Sequence, residues 1–235
     1  MFFKRNYLII ILLSLLSFMF VKDNYYNRIK TKLFNYNNSI NSNIIDNSFD
    51  LLYANNQFNH DIVMLGNSIT KGVDWNELLG LNISNQGVSG DTTAMILERL
   101  RLVIQENPSH VFIMSGINDI YSEINNTEIV SNMTQIISLL KSNNIKPYIQ
   151  SVLKVNYPQE EVLKKNIIID QLNDQLYELT IDEKIEFIDL NKLLSDVNGL
   201  KKEFTKDGVH LNSSGYFEWS TILFKIFDEL GYYNN

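Results

Sequence analysis

The sequence predicts an α/β fold: a parallel sheet of five strands with helices on both faces. Three observations predict it. Short apolar runs alternate with longer amphipathic stretches, which is the pattern of a strand–helix–strand chain. Two of the short runs, Ile62 to Leu65 and Val111 to Met114, are wholly apolar, as strands buried on both faces are. The stretches between them are long enough for right-handed crossovers, which parallel pairing requires.

The elements follow in order. Ile62-Val63-Met64-Leu65 is the first strand, and Leu81 to Asn85 is a short second one. Asp91 and Thr92 can cap a helix that carries Ile96, Leu100 and Val103 on one face. Val111-Phe112-Ile113-Met114 is the third strand. Thr127 to Ser142 places Val130, Met133, Ile137 and Leu140 on one helical stripe. Pro147 to Val152 is the fourth strand, and a long helix then carries Ile168, Leu172, Leu176 and Leu179. Ile185 to Leu190 is the fifth strand. A last helix aligns Tyr216, Trp219, Leu223, Ile226 and Leu230.

The N-terminus differs in kind. Lys4 and Arg5 precede an apolar run from Tyr7 to Val21, interrupted by Ser14 and Ser17. A basic start followed by such a run resembles an export signal. It is short for a bilayer span, which needs ~20 apolar residues, and no small-residue cleavage site follows it. Residues 1–22 are therefore expected to be an uncleaved signal-anchor or a cleaved signal, with a buried helix as the remaining reading. Either signal would place the remainder outside the cytoplasm, membrane-tethered or secreted. Residues 23–57, rich in Asn, Tyr and Lys, read as a linker or stalk with some helix, and residues 58–235 as the folded domain.

Composition narrows the chemistry. The chain has 235 residues, 45% hydrophobic and 20% charged, enough to bury a sizeable core. Its formal net charge of -7, with no basic stripe, disfavours a nucleic-acid partner. With no cysteine, disulfides, thiolate metal sites and cysteine nucleophiles are excluded. Three scattered histidines suggest no metal site.

In a parallel sheet the chemistry sits where the strands' C-terminal ends emit their loops. Three stretches dense in Gly, Asn, Ser and Asp come directly after the first three strands: Gly66 to Thr70, Asn85 to Asp91, and Ser115 to Asp119. A fourth, Asp207-Gly208-Val209-His210, precedes the last helix. Together they supply the parts of an acyl-transfer site. A serine hydroxyl needs a base, and the base needs an orienting group. Ser68 is the candidate nucleophile, His210 the base, and Asp207 the carboxylate that fixes its tautomer. The developing oxyanion needs donors. Gly90 lets its backbone N–H approach a carbonyl closely, and Asn118 offers a side-chain amide.

Simpler roles exist for the same residues. Ser68 alone is a turn former. Gly87 and Gly90 can serve tight turns, with Gly87 better suited to that role. Asn118-Asp119 can cap a helix, Asp119 doing so while Asn118 faces the substrate. His210 can be a surface residue ahead of a helix capped by Asn212 or Ser213. His60 and His110 precede strands, at the end away from the site, and read as structural. There is no Gly-x-Ser-x-Gly elbow and no Lys-Ser/Thr phosphate loop.

The four stretches together resemble the SGNH hydrolases, the GDSL-type esterase and lipase family. Gly66-Asn67-Ser68-Ile69 matches the first block, with Asn67 where Asp is common. Gly90, within Gly87 to Thr93, matches the second, Gly116-Ile117-Asn118-Asp119 the third, and Asp207-Gly208-Val209-His210 the last. The resemblance covers residues 60–230. It implies a flavodoxin-like three-layer α/β/α sandwich with five parallel strands. It also implies catalysis by Ser68, Asp207 and His210, and an oxyanion hole of the Ser68 N–H, Gly90 and Asn118. No cofactor is implied. The expected activity is hydrolysis of small acyl esters, with acetyl on a sugar preferred. Lysophospholipase, thioesterase and O-acyltransferase activities occur in the same family. A fold retained for binding without turnover is the reading from outside the class.

Overall fold

The computed structural model describes residues 60–157 and 161–233, so the expected N-terminal segment and linker lie outside the described residues. Five strands form one sheet: β1 (Ile62–Gly66), β2 (Ile83–Gly87), β3 (His110–Met114), β4 (Lys146–Gln150) and β5 (Glu186–Ile188). Their order is β2-β1-β3-β4-β5 and every pair is parallel. This is the flavodoxin-like order. The chain leaves β1 toward one side to make β2 and returns past it to make β3. β1 is therefore flanked by loops that diverge, and a crevice opens outside its C-terminal end.

Helices α1 (Ser68–Lys71) and α2 (Trp75–Leu79) join β1 to β2, and α3 (Thr93–Gln105) joins β2 to β3. Helices α4 (Ile117–Tyr121) and α5 (Asn126–Ser142) precede β4, and α6 (Glu161–Glu183) precedes β5. Helix α7 (Asn191–Leu194), a ribbon of β6 (Ser195–Asp196) and β7 (Gly199–Leu200), and α8 (Ser213–Glu229) complete the described chain. Helix α5 packs between α3 and α6, while α8 packs with α2 and α7, giving two helical layers. No helix among the described residues is long and apolar enough to cross a membrane.

The core follows from the apolar runs. All five residues of β1 are buried, as are the last four of β3 and of β4. Phe112 stacks on Tyr148 with centroids 4.4 Å apart, and Phe227 of α8 meets Phe112 edge-on at 5.0 Å. Trp75 and Trp219 pack edge-to-face at 4.8 Å beneath α1.

Several boundaries and faces differ from expectation. β2 begins at Ile83, not Leu81, because Gly80 ends α2 in the left-handed region (φ 67°) and the Ile83 N–H is taken by Asn76 Oδ1. β4 and β5 end at Gln150 and Ile188, short of Val152 and Leu190, where side-chain amides and Ser151 replace the ladder. The buried stripe of α6 runs through Val162, Asn166, Ile169, Leu172, Leu176 and Thr180. Ile168 lies outside it and is 38% exposed. Polar Asn166 and Thr180 sit on the inner face, which hides it from a search for apolar periodicity. In α5 the stripe passes through Ile129 and Ile136, with Val130 only half-buried.

Candidate active site

Ser68 is the first residue of α1, two residues past the end of β1. Asn67 caps that helix, its Oδ1 accepting from the Ile69 N–H at 2.9 Å. An Asp would accept the same bond, so Asn67 in place of the commoner residue keeps the turn. The far end of the turn is held by three donors. Tyr216 Oη donates to Ile69 O at 2.7 Å, and Trp75 Nε1 and Asn85 Nδ2 donate to Thr70 O at 2.9 and 3.2 Å. Burial, then the nearby Asp207 charge, pushes the Tyr216 phenol up to about 12, so it remains a donor.

Gly87 does not serve a turn. It ends β2 in register with Gly66, and a Cβ there would lie 2.3 Å from the Lys71 backbone nitrogen and 2.9 Å from Asn67 O. Its bare backbone lets β2 lie directly against α1.

The Asp207–His210 loop reaches the same place from the other end of the chain. Ser68 Oγ and His210 Nε2 are 3.0 Å apart. His210 Nδ1 and Asp207 Oδ2 are 2.7 Å apart. Asp207 Oδ1 also accepts from the His210 and Val209 N–H groups, at 2.7 and 2.9 Å. One carboxylate thus shapes the turn and orients the ring. Burial alone would raise the Asp207 carboxyl, but these backbone bonds and the His210 ring together hold it below its ordinary value.

The loop is braced from behind. Gly208, at φ 86°, gives its carbonyl to the Asn156 N–H at 2.7 Å, and a Cβ on it would meet Asn156 O at 2.2 Å. The segment carrying Asn156 is pinned in turn by Asn166, which bonds both the N–H and the carbonyl of Val155 at 2.9 Å.

The two expected oxyanion donors emerge after β2 and β3. Gly90 is in the left-handed region (φ 87°), with nothing within 4 Å of a Cβ built on it. Asn118 lies in the first turn of α4, and its Nδ2 donates to Asp91 O at 2.8 Å. That bond uses one amide hydrogen and leaves the second free. Asn118, Ser68 and His210 line one cleft of about 480 Å³ together with Tyr121, Tyr157 and Val209. Gly90 is outside its lining and is tied to it through Asp91.

Asp119 caps a helix, but not its own. It is 0% exposed and accepts from the Thr93 N–H and Oγ, at 3.0 and 2.6 Å, at the start of α3. Thr92 and Asn212 cap α3 and α8. His110 begins β3 and contacts Tyr232 Oη through Nδ1 at 2.8 Å, away from the cleft.

Sequence reasoning missed Tyr121 and Tyr157. Both line the cleft, and burial, then the neighbouring Tyr157, raises the Tyr121 phenol. It also missed Arg99, although a lone arginine between Ile96 and Leu100 on a buried helical face was a legible signal.

The GDSL-like lipase/acylhydrolase family matches residues 64–216. An N-acylneuraminate cytidylyltransferase of Streptococcus agalactiae serotype III is 30% identical over 148 residues, 63% of this chain. The match spans about a third (34%) of that relative's length. The isoamyl acetate-hydrolyzing esterase of Saccharomyces cerevisiae is 26% identical over 165 residues, covering 63% of this chain and 69% of that protein. The crystal structure of a GDSL-like lipase from Bacteroides thetaiotaomicron superposes with a TM-score of 0.66 at 27% identity, covering 72% of this chain and 88% of that one.

Proposed function

The chain belongs to the GDSL-like lipase/acylhydrolase family, the SGNH hydrolases, and on that premise we propose that it is a serine esterase that cleaves short acyl esters through a Ser68 acyl-enzyme. The observation that carries this is the continuous relay from Ser68 Oγ to His210 Nε2 and from His210 Nδ1 to Asp207, at 3.0 and 2.7 Å, opening into a cleft at the end of β1.

The steps follow from the groups present. Ser68 Oγ attacks the ester carbonyl as His210 Nε2 takes its proton. Asp207 keeps Nδ1 protonated and stabilises the imidazolium. The carbonyl oxygen, now carrying the charge, is met by the Ser68 and Gly90 N–H groups and by the free amide hydrogen of Asn118. Collapse releases the alcohol with the proton from His210. Water then attacks the acyl-enzyme, with His210 again as base, and acid and free enzyme result.

A cleft of this size, walled by Val209, Tyr121 and Tyr157, suits a short acyl group, and the phenols can serve a hydroxyl-rich leaving group. Acetyl carried on a carbohydrate is the preferred substrate. The yeast relative's name, an acetate ester hydrolase, agrees with the acyl part. Residues 1–22 are proposed to direct this activity out of the cytoplasm, as a membrane anchor or an export signal.

The test is a nitrophenyl ester series with the wild type and Ser68→Ala. Activity that falls beyond butyrate and is lost in the variant supports the proposal. A long-chain optimum would favour a lysophospholipase, and acyl transfer to an added glycan would favour an acyltransferase. Turnover that survives Ser68→Ala rejects the nucleophile. Membrane fractionation of full-length chain against a chain lacking residues 1–22 tests the N-terminal assignment: identical partitioning refutes it.

A further inference from the structure

Arg99 projects from the second turn of α3 into the gap between three loops. Its side chain is 17% exposed. Nε donates to Asp91 Oδ2 at 2.7 Å. Nη2 donates to Gln86 O at 2.8 Å and to Gly66 O at 3.2 Å. These acceptors are not scattered. Gly66 O is the last carbonyl of β1, two residues before Ser68, and it also accepts the Val88 N–H at 3.0 Å. Gln86 O lies at the end of β2. Asp91 directly follows Gly90, and its backbone carbonyl is the group that orients Asn118 Nδ2.

A single guanidinium therefore ties the nucleophile's strand, the strand beside it and the loop that carries one oxyanion donor and orients another. The planar fork of five donors suits three acceptors at fixed angles. Gly90 needs such a tie. With φ at 87° and open space where a Cβ would stand, it has no side-chain contact to steady its N–H; the residue after it is held by Arg99 and by its own N–H bond to Val88 O at 3.2 Å. Oxyanion stabilisation depends on donors fixed before the charge forms, and a displacement of about 1 Å can cost 10²-fold in rate.

We propose that Arg99 is a positioning residue for the oxyanion hole, acting through Asp91 on Gly90 and Asn118. This rests on the serine-esterase reading above. Arg99 touches neither substrate nor nucleophile, and its effect is on the donors. Its ion pair with Asp91 is largely buried, and such pairs add little net stability over an apolar replacement. Their geometry is what they secure here.

The experiment compares wild type, Arg99→Lys, Arg99→Gln and Asn118→Ala, and the Arg99→Gln/Asn118→Ala double variant, in nitrophenyl acetate hydrolysis, each scored per folded molecule after a thermal melt. Arg99→Gln is expected to lower kcat by about 10- to 100-fold with KM within about twofold. Lysine can keep the Asp91 pair but not the fork, so Arg99→Lys recovers only part of the loss. In the Asn118→Ala background the Arg99→Gln loss shrinks, because one of the two donors it positions is gone. Unchanged kcat in Arg99→Gln overturns the proposal, and so does a loss that simply multiplies with that of Asn118→Ala. Wild type that is inactive, and unlabelled by a fluorophosphonate at Ser68, refutes instead the esterase reading on which Arg99's role rests.

Discussion

Ser68 and His210 are 142 residues apart in the chain and 3.0 Å apart at Oγ and Nε2. Nothing local brings them together. β1 delivers the serine at its C-terminal end, and the loop before α8 delivers the imidazole. Replacing either partner leaves a weak nucleophile or an idle base. Ser68→Ala and His210→Ala are each expected to lower kcat by at least about 10³-fold, and the double variant to lose little more, because the two act as a unit. Steady-state rates on a nitrophenyl ester check this, and a double variant far slower than either single one contradicts it.

Asp207 meets both the backbone and the ring of His210. Asp207→Asn is expected to cost about 10²- to 10⁴-fold in kcat, since the amide no longer enforces the Nδ1–H tautomer. The pH dependence has a definite sign. A carboxyl held below its ordinary value contributes stability that is present above the ordinary carboxylate range and lost as pH falls through the depressed value. Asp207 is thus ionised wherever the enzyme is near neutrality, and no activity limb there belongs to it. Melts from about pH 7 to about pH 3 should show a smaller acid-side loss in Asp207→Asn than in wild type.

Asn118 gives one amide hydrogen to Asp91 O and has one to spare. Asn118→Ala is expected to cost about 10²- to 10³-fold in kcat. The stability cost should be only about 1 kcal/mol, that of one hydrogen bond. A thermal melt beside the kinetics separates the two. A large drop in melting temperature with intact per-molecule activity would make Asn118 a structural residue.

Gly87 is held to zero side chain by the backbone of α1. Gly87→Ala places a methyl 2.3 Å from the Lys71 nitrogen, and backbone cannot swing aside as a side-chain tip can. The expected cost is about 1–3 kcal/mol, as for overpacking. Activity per folded molecule should also fall, because α1 carries Ser68. Chemical denaturation and the esterase assay measure the two effects. A stability equal to that of wild type would mean β2 and α1 can separate freely.

The parallel sheet was legible because β1 and β3 are buried, largely apolar runs and long helical stretches separate the strands, the pattern of a sheet covered by two helical layers. The boundaries were less so. Leu81 and Ile83 are both apolar, and the strand begins at Ile83, whose N–H donates to Asn76 Oδ1. The inner face of α6 was misread at Ile168 because Asn166 and Thr180 occupy buried positions. Asn166 is there to bond the Val155 backbone, a requirement of the neighbouring loop and not of the helix.

By itself the sequence determined the fold class and the candidate residues Ser68, Gly90, Asn118, Asp207 and His210, because turn chemistry and strand ends are short-range patterns of residue type. It also determined the Asp207–His210 pair, three residues apart on one turn. Only the tertiary structure decided which groups meet: the Ser68–His210 contact, the tie from Asn118 to Asp91, Asp119 capping α3 instead of its own helix, and the three-way hold of Arg99. Each of these joins segments far apart in the chain that meet around the ends of neighbouring strands. The sheet order places those ends side by side, and no spacing along the chain encodes the direction in which a polar side chain will then point.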